Sequence, residues 1–214
     1  MNKSEKFWDN FAANYDKTEK KFKTVNIKVY EHTKPYLKRD DIVLDFGCAT
    51  GSKTLEFADY TKKMYGIDFS KKMIEIAQKN AALQKAENVE FSKATLFDNA
   101  YPPQAFDVIL AFNMLHGLRD TLQVMQRIGE LLKPGGLFIS VTPCMKEKMS
   151  FVTQSQLSLF LLFMKLRLIP NVLTRYTHSE LENLIASADF QIIETKTLYN
   201  WMSNYYIVAK KPEK

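Results

Sequence analysis

The chain has only two cysteines, Cys48 and Cys144, in 214 residues. They offer neither a disulfide framework nor the paired spacing of a structural metal site, so no metal is expected. A long apolar run is also missing. The most apolar stretch, Leu157 to Ile169, is too short for a membrane span and is interrupted by Lys165 and Arg167. Two such charges are also too few for a basic amphipathic membrane helix. Met1 to Asn10 is polar and lacks the apolar core of a secretory signal, which makes a cytoplasmic location the expectation. No repeat, low-complexity tract or linker is visible. Nor is there a dense basic block. The net charge is +6, yet the lysines are scattered among Glu and Asp, as on a solvated surface, and DNA is not an expected partner.

What is present is an ordinary globular balance, 46% apolar and 25% charged, over a length that suits one α/β domain spanning 1–214. Strand-like and helix-like segments alternate. Ile42 to Phe46, Met64 to Ile67, Val89 to Phe91, Phe106 to Phe112 and Leu137 to Val141 read as strands. Ser52 to Tyr60, the segment capped by Ser70, and Thr121 to Leu132 read as helices, the last ended by Pro134-Gly135-Gly136. Thr177 to Glu180 forms a capping box for a further helix. Gln191 to Thr195 and Tyr205 to Lys210 follow as two strands. The segment between them, Lys196 to Asn204, is too short for a crossover, so they should pair as an antiparallel hairpin. The expected fold is α/β: a doubly wound, mostly parallel seven-stranded sheet with a terminal antiparallel strand.

Asp45-Phe46-Gly47-Cys48-Ala49-Thr50-Gly51 lies where the first strand meets its helix, the position at which open α/β sheets bind ligands. Gly47 and Gly51 permit a tight turn, and the helix start offers free N–H groups to an anion. Asp68 ends the second strand, where a carboxylate can accept hydrogen bonds from two ribose hydroxyls. The Gly-x-Gly-x-x-Gly pattern of nicotinamide dehydrogenases is not met, and Lys53 is not placed as in a P-loop.

Val43 to Gly51, Tyr65-Gly66-Ile67-Asp68-Phe69-Ser70 and Leu131 to Leu137 together resemble the ordered motifs of class I S-adenosylmethionine-dependent methyltransferases, in the flavour of the ubiquinone and menaquinone biosynthesis enzymes. The resemblance implies a Rossmann-like fold, S-adenosylmethionine as cofactor and methyl transfer as the activity. It implies that Asp45 faces the methionine amine and that Gly47, Ala49 and Gly51 pass near that moiety. Asp68 would hold the ribose, and Phe69, Thr95 and Leu96 would surround the adenine. Asn113 would offer its carbonyl to the amine. Ala49 stands where the family usually has a glycine, which suits a negative φ, and Thr95 stands where an aspartate is common. Trp8, Ala12, Tyr15 and Asp16 match a segment that folds over the cofactor, so residues 1–34 are expected to be cover helices. Phe7, Phe11 and Tyr15 fall on one helical face.

The stretch Asn113-Met114-Leu115-His116 lacks the Pro-Pro-aromatic sequence of enzymes that methylate DNA bases. His116, just past the fourth strand, is the candidate general base; the alternative is a packing role. Tyr199 and Tyr205 could reach the site mouth or belong to the core. Residues 149–173 are expected to form a lid shaping the acceptor pocket. A helix over Phe151 to Ile169 that is apolar all round implies a small or medium apolar acceptor. A non-enzymatic S-adenosylmethionine-binding subunit and an RNA methyltransferase stay open as alternatives.

Overall fold

The computed structural model describes residues 3–98, 101–166 and 173–213. The start of the expected N-terminal cover and residues 167–172 of the expected lid lie outside the described residues.

Seven strands form one sheet: β1 (Ile42–Phe46), β2 (Lys63–Asp68), β3 (Val89–Lys93), β4 (Phe106–Phe112), β5 (Leu132–Pro143), β6 (Gln191–Tyr199) and β7 (Ser203–Lys210). Their spatial order is β3-β2-β1-β4-β5-β7-β6. The pairs from β3 through to β5 are parallel. The last strand, β7, runs antiparallel to both of its neighbours, β5 and β6. The expected fold class is borne out. The antiparallel strand is last in the chain but second from the sheet edge.

Among the described residues seven α-helices accompany the strands: α1 (Lys3–Glu19), α2 (Lys23–Thr33), α3 (Ser52–Phe57), α4 (Lys71–Gln84), α5 (Thr121–Leu131), α6 (Phe151–Lys165) and α7 (His178–Ala186). Alternation along β4 explains why its sequence is almost uniformly apolar. Ile109 and Ala111 pack with Met125 and Ile128 of α5 and Leu181 and Ile185 of α7. Val108, Leu110 and Phe112 point the other way, toward Val25 and Val29 of α2 and toward Phe57. A strand buried on both faces needs apolar residues at both parities.

Local signals placed several boundaries. The Ser70 hydroxyl accepts from Met73 N at 3.2 Å, and Thr177 and Glu180 close a reciprocal capping box. Other boundaries moved. The helix expected over Ser52 to Tyr60 ends at Phe57, and a 3₁₀ turn covers Ala58–Tyr60. Leu132 turns to extended geometry directly after α5, so β5 begins there and includes Pro134 to Gly136. The final hairpin is tighter than expected, because β6 runs on to Tyr199 and β7 starts at Ser203.

One expectation is overturned. Ala49 has φ +48°, not a negative value, in a region that costs a side-chain-bearing residue about 1 kcal/mol. Its methyl group packs with Ala12 of α1 and Met73 of α4, and its N–H donates to Asp68 Oδ2 at 3.2 Å. These contacts hold the left-handed backbone in place.

Candidate active site

Strand order reverses between β1 and β4, so the connections leaving their carboxyl ends diverge and open a crevice. Two adjoining cavities occupy it. The smaller, about 20 Å³, lies among Tyr15, Asp45, Cys48, Ser52 and Lys53. The larger, about 910 Å³, shares Tyr15, Gly47, Phe112 and Asn113 with it and extends beneath α1 to Phe160 and Met164 of α6.

Asp45, at the end of β1, is buried and accepts from Thr54 Oγ1 at 2.6 Å. Burial pushes its carboxyl up to about 6, against the opposing pull of the Thr54 hydroxyl and the Lys53 ammonium. Lys53 is itself paired to Glu19 of α1 at 2.9 Å. Asp68, at the end of β2, accepts from Ala49 N at 3.2 Å and from Ser70 N at 2.8 Å. Burial raises its carboxyl too, and the backbone N–H groups of Ser70 and Ala49 oppose the rise. A carboxylate has about four acceptor positions, so these bonds leave acceptor capacity for a ligand.

Phe69, Thr95 and Leu96 line the larger cavity together with Ala49 and Asp68. Gly51 lines neither cavity. Its glycine answers a different need: φ is +78°, and an added Cβ would come within 2.5 Å of Phe91 and 3.0 Å of Ala77. The Thr95 hydroxyl accepts from Phe97 N at 3.3 Å, and the Thr95 N–H donates to Asp98 at 2.7 Å. This turn is held by Asp98, three residues beyond Thr95.

Of the expected cover, α1 reaches the cavity and α2 does not. Phe7, Trp8, Phe11 and Tyr15 of α1 line it, with Phe7 stacked on Phe11 at 6.4 Å and Phe11 edge-on to Tyr15 at 6.2 Å. The polar side of α1 is tied down along its length. Glu5 pairs with Lys93 at 2.6 Å, Asp9 accepts from Ser70 Oγ at 2.6 Å, and Asp16 accepts from Thr50 Oγ1 at 2.5 Å. In contrast, α2 buries Val25 and Val29 against the sheet.

His116 follows β4 in a 3₁₀ turn and lines the larger cavity. Its Nδ1 is shielded from solvent and has no hydrogen-bond partner among the described residues. Burial lowers the imidazole to about 4, which keeps it neutral at ordinary pH. Cys144 is buried, and burial pushes its thiol up to about 12, so it is inert. Tyr205 belongs to the core, stacked on His178 at 4.0 Å and hydrogen-bonded to Glu182. Tyr199 is exposed, and neither tyrosine lines these cavities. Sequence reasoning missed Met114 and Met145 in the wall. Both lie just beyond carboxyl ends of central strands, the one signal that could have found them. Phe97 and Arg119 carried no such signal.

Among the described residues no group of His, Cys, Asp and Glu could hold a metal ion, and no helix is long and apolar enough to cross a membrane.

Known proteins agree with this architecture. The chain is 31% identical over 99 residues to the uncharacterized methyltransferase YcgJ of Bacillus subtilis, a match covering 46% of this chain and 39% of that protein. It thus spans about two fifths of that relative's length. It is 27% identical over 190 residues to a ubiquinone biosynthesis O-methyltransferase of Albidiferax ferrireducens, covering 79% of this chain and 72% of the relative. Its fold is similar to that of Haemonchus contortus phosphoethanolamine N-methyltransferase 2, solved with phosphomonomethylethanolamine and S-adenosylhomocysteine. The TM-score is 0.66 at 16% identity over 82% of this chain and 50% of that one. A family model described as a methyltransferase domain matches residues 37–202, all seven strands but the last among them. With that match laid over a crevice at the β1–β4 reversal, the chain belongs to the methyltransferase-domain family.

Proposed function

We propose that this protein binds S-adenosylmethionine and catalyses transfer of its methyl group to a small or medium, mainly apolar acceptor. The observation that carries the reading is the placement of Asp45 and Asp68 near the carboxyl ends of the adjacent strands β1 and β2, beneath an aromatic helix. A buried carboxylate beside the glycine turn favours an ammonium group and repels the pyrophosphate of a dinucleotide. A second carboxylate with spare acceptor capacity suits a vicinal diol. The donor set therefore fits this cofactor. Asp45 and the Asn113 carbonyl would hold the methionine amine, Asp68 the ribose, and Phe69, Thr95 and Leu96 the adenine, with Tyr15 closing over them. The larger cavity, about 910 Å³, is near the upper end of ordinary ligand sites and leaves room for an acceptor beyond the cofactor.

When bound, the cofactor supplies an electrophilic methyl group on a sulfonium sulfur, whose departure as a neutral thioether needs no acid. The chain's task is then alignment and exclusion of water. The α1 aromatics and Phe160 and Met164 of α6 supply apolar wall to the cavity. His116, neutral and in the wall of the larger cavity, is the group we assign to hold or accept the proton of an acceptor O–H or N–H group. The acceptor reading rests on the apolar outer wall, in which Phe160, Met164, Leu118 and Val124 take part.

Calorimetric titration with S-adenosylmethionine, followed by transfer of labelled methyl to pooled apolar and polar metabolites, tests both parts. Saturable binding with label entering the apolar pool is the expected result. Binding without any transfer would favour a non-enzymatic subunit, and absence of binding would refute the assignment.

A further inference from the structure

Among the described residues, nothing packs over the outer surface of α6. At 3.6 residues per turn, Phe151, Val152, Leu159, Leu162, Phe163 and Leu166 fall within an arc of about 120°. All six are exposed, Phe151 by 84% and Val152 by 64%. On the opposite side Thr153 is buried, and Met164 and the 40% exposed Phe160 line the larger cavity. An apolar face of this kind costs free energy in water and marks a surface that meets something else.

What it meets is indicated by charge. By itself α6 carries a single lysine, Lys165, at its end. The tertiary structure adds more. Thr153 Oγ1 donates to the Trp201 carbonyl at 3.4 Å, which joins the start of α6 to the β6–β7 turn. The Trp201 ring, 48% exposed, packs against Phe22 at 5.9 Å. Phe22 lies in the run Lys20-Lys21-Phe22-Lys23, whose three lysines are exposed and form no ion pair among the described residues. Lys148, also exposed, precedes the α6 cap. A half-exposed tryptophan and lysines without an ion pair among the described residues thus adjoin the start of the apolar helix.

We propose that this side docks on the surface of an anionic lipid bilayer, with the outer face of α6 and Trp201 in the headgroup region and Lys20, Lys21 and Lys23 on acidic headgroups. Tryptophan settles at the boundary between water and hydrocarbon, and apolar helix faces insert there with lysines alongside. A second copy of this chain is the weaker occupant, because a two-fold pairing of the face would bring like-charged lysines together. Docking leaves the inner side of α6, Phe160 and Met164, as the wall between bilayer and cavity. That last consequence alone rests on the acceptor reading above.

The test is flotation of the full chain with vesicles, read without turnover, so it stands or falls separately from the methyl-transfer assignment. Phosphatidylcholine vesicles containing phosphatidylglycerol should bind the protein, and salt should weaken the binding. Lys20→Ala, Lys21→Ala and Lys23→Ala combined should weaken it by about a hundredfold. Phe151→Ser with Leu162→Ser should weaken it by about tenfold or more. These positions are on the surface, and an unchanged melting temperature certifies folding. Equal binding by the wild type and the lysine variant, or no binding to anionic vesicles, would overturn the proposal. So would a concentration-dependent dimer in sedimentation that disappears in the Phe151/Leu162 variant.

Discussion

The N–H of Ala49 donates to Asp68 Oδ2 at 3.2 Å, which ties the turn after β1 to the end of β2 and makes Asp68 a structural acceptor as well as a candidate ligand group. The two roles separate by experiment. Asp68→Ala is expected to weaken S-adenosylmethionine binding tenfold or more, on the order of one lost charged hydrogen bond. It should also lower stability by about 1–3 kcal/mol, because the N–H groups of Ala49 and Ser70 lose their acceptor. Asp68→Asn keeps one acceptor oxygen and should cost less stability. Calorimetry and thermal melting measure the two. Unchanged affinity in Asp68→Ala would remove the carboxylate from the site.

Asp45 predicts a pH dependence. Its folded value is about 6 against an ordinary 3.8. Between those pH values the folded protein keeps a proton that the unfolded chain has released, so stability falls as pH rises through the window. Above about pH 6 the full cost, about 3 kcal/mol, is present. A cationic amine in the small cavity favours the ionised form. Cofactor affinity should therefore rise from about pH 5 to pH 7 and then level. Asp45→Asn, which retains an oxygen for the Thr54 hydroxyl, should melt higher than the wild type at neutral pH and bind the cofactor at least about tenfold more weakly. Affinity that is flat with pH in the wild type would argue against an amine at Asp45.

For His116 the sign is reversed. Burial holds the imidazole at about 4, below its ordinary 6.5. As pH falls through that window the unfolded chain takes up a proton and the folded protein does not, so stability is lost toward acid. His116→Gln should flatten this loss. In turnover at saturating cofactor, the wild-type rate should show no inflection near 6.5. His116→Ala should be slower by about 10²-fold or more with unaltered cofactor affinity. An undiminished rate would leave His116 a packing role.

Phe160 and Phe163 look interchangeable in sequence, yet only Phe160 lines the cavity. Phe160→Glu should raise the acceptor KM and spare cofactor binding, since a charge in an apolar wall disfavours an apolar ligand. Phe163→Glu should show its effect on vesicle binding instead. Equal damage to acceptor KM by both variants would mean that α6 acts only as a folding element.

Short-range patterns were sufficient for much of this protein. Two-sided apolar runs such as Phe106 to Phe112 specify central strands, and hydroxyl caps such as Ser70 and Thr177 specify helix starts. The glycine turn and the acid ending β2 locate the crevice, because these signals act through a residue's immediate neighbours in the chain. Other features depended on contacts between distant segments. Ala49 takes a positive φ because Ala12, Met73 and Asp68 hold it there. His116 is neutral, with no partner for Nδ1 among the described residues, because the fold packs around it. Gly51 serves helix–strand packing, since Phe91 arrives from β3. The lysines beside Phe22 come near the start of α6 through Trp201, which lies 178 residues downstream of Lys23. Burial and pairing are properties of three-dimensional neighbours, and only the folded chain determines which residues those are.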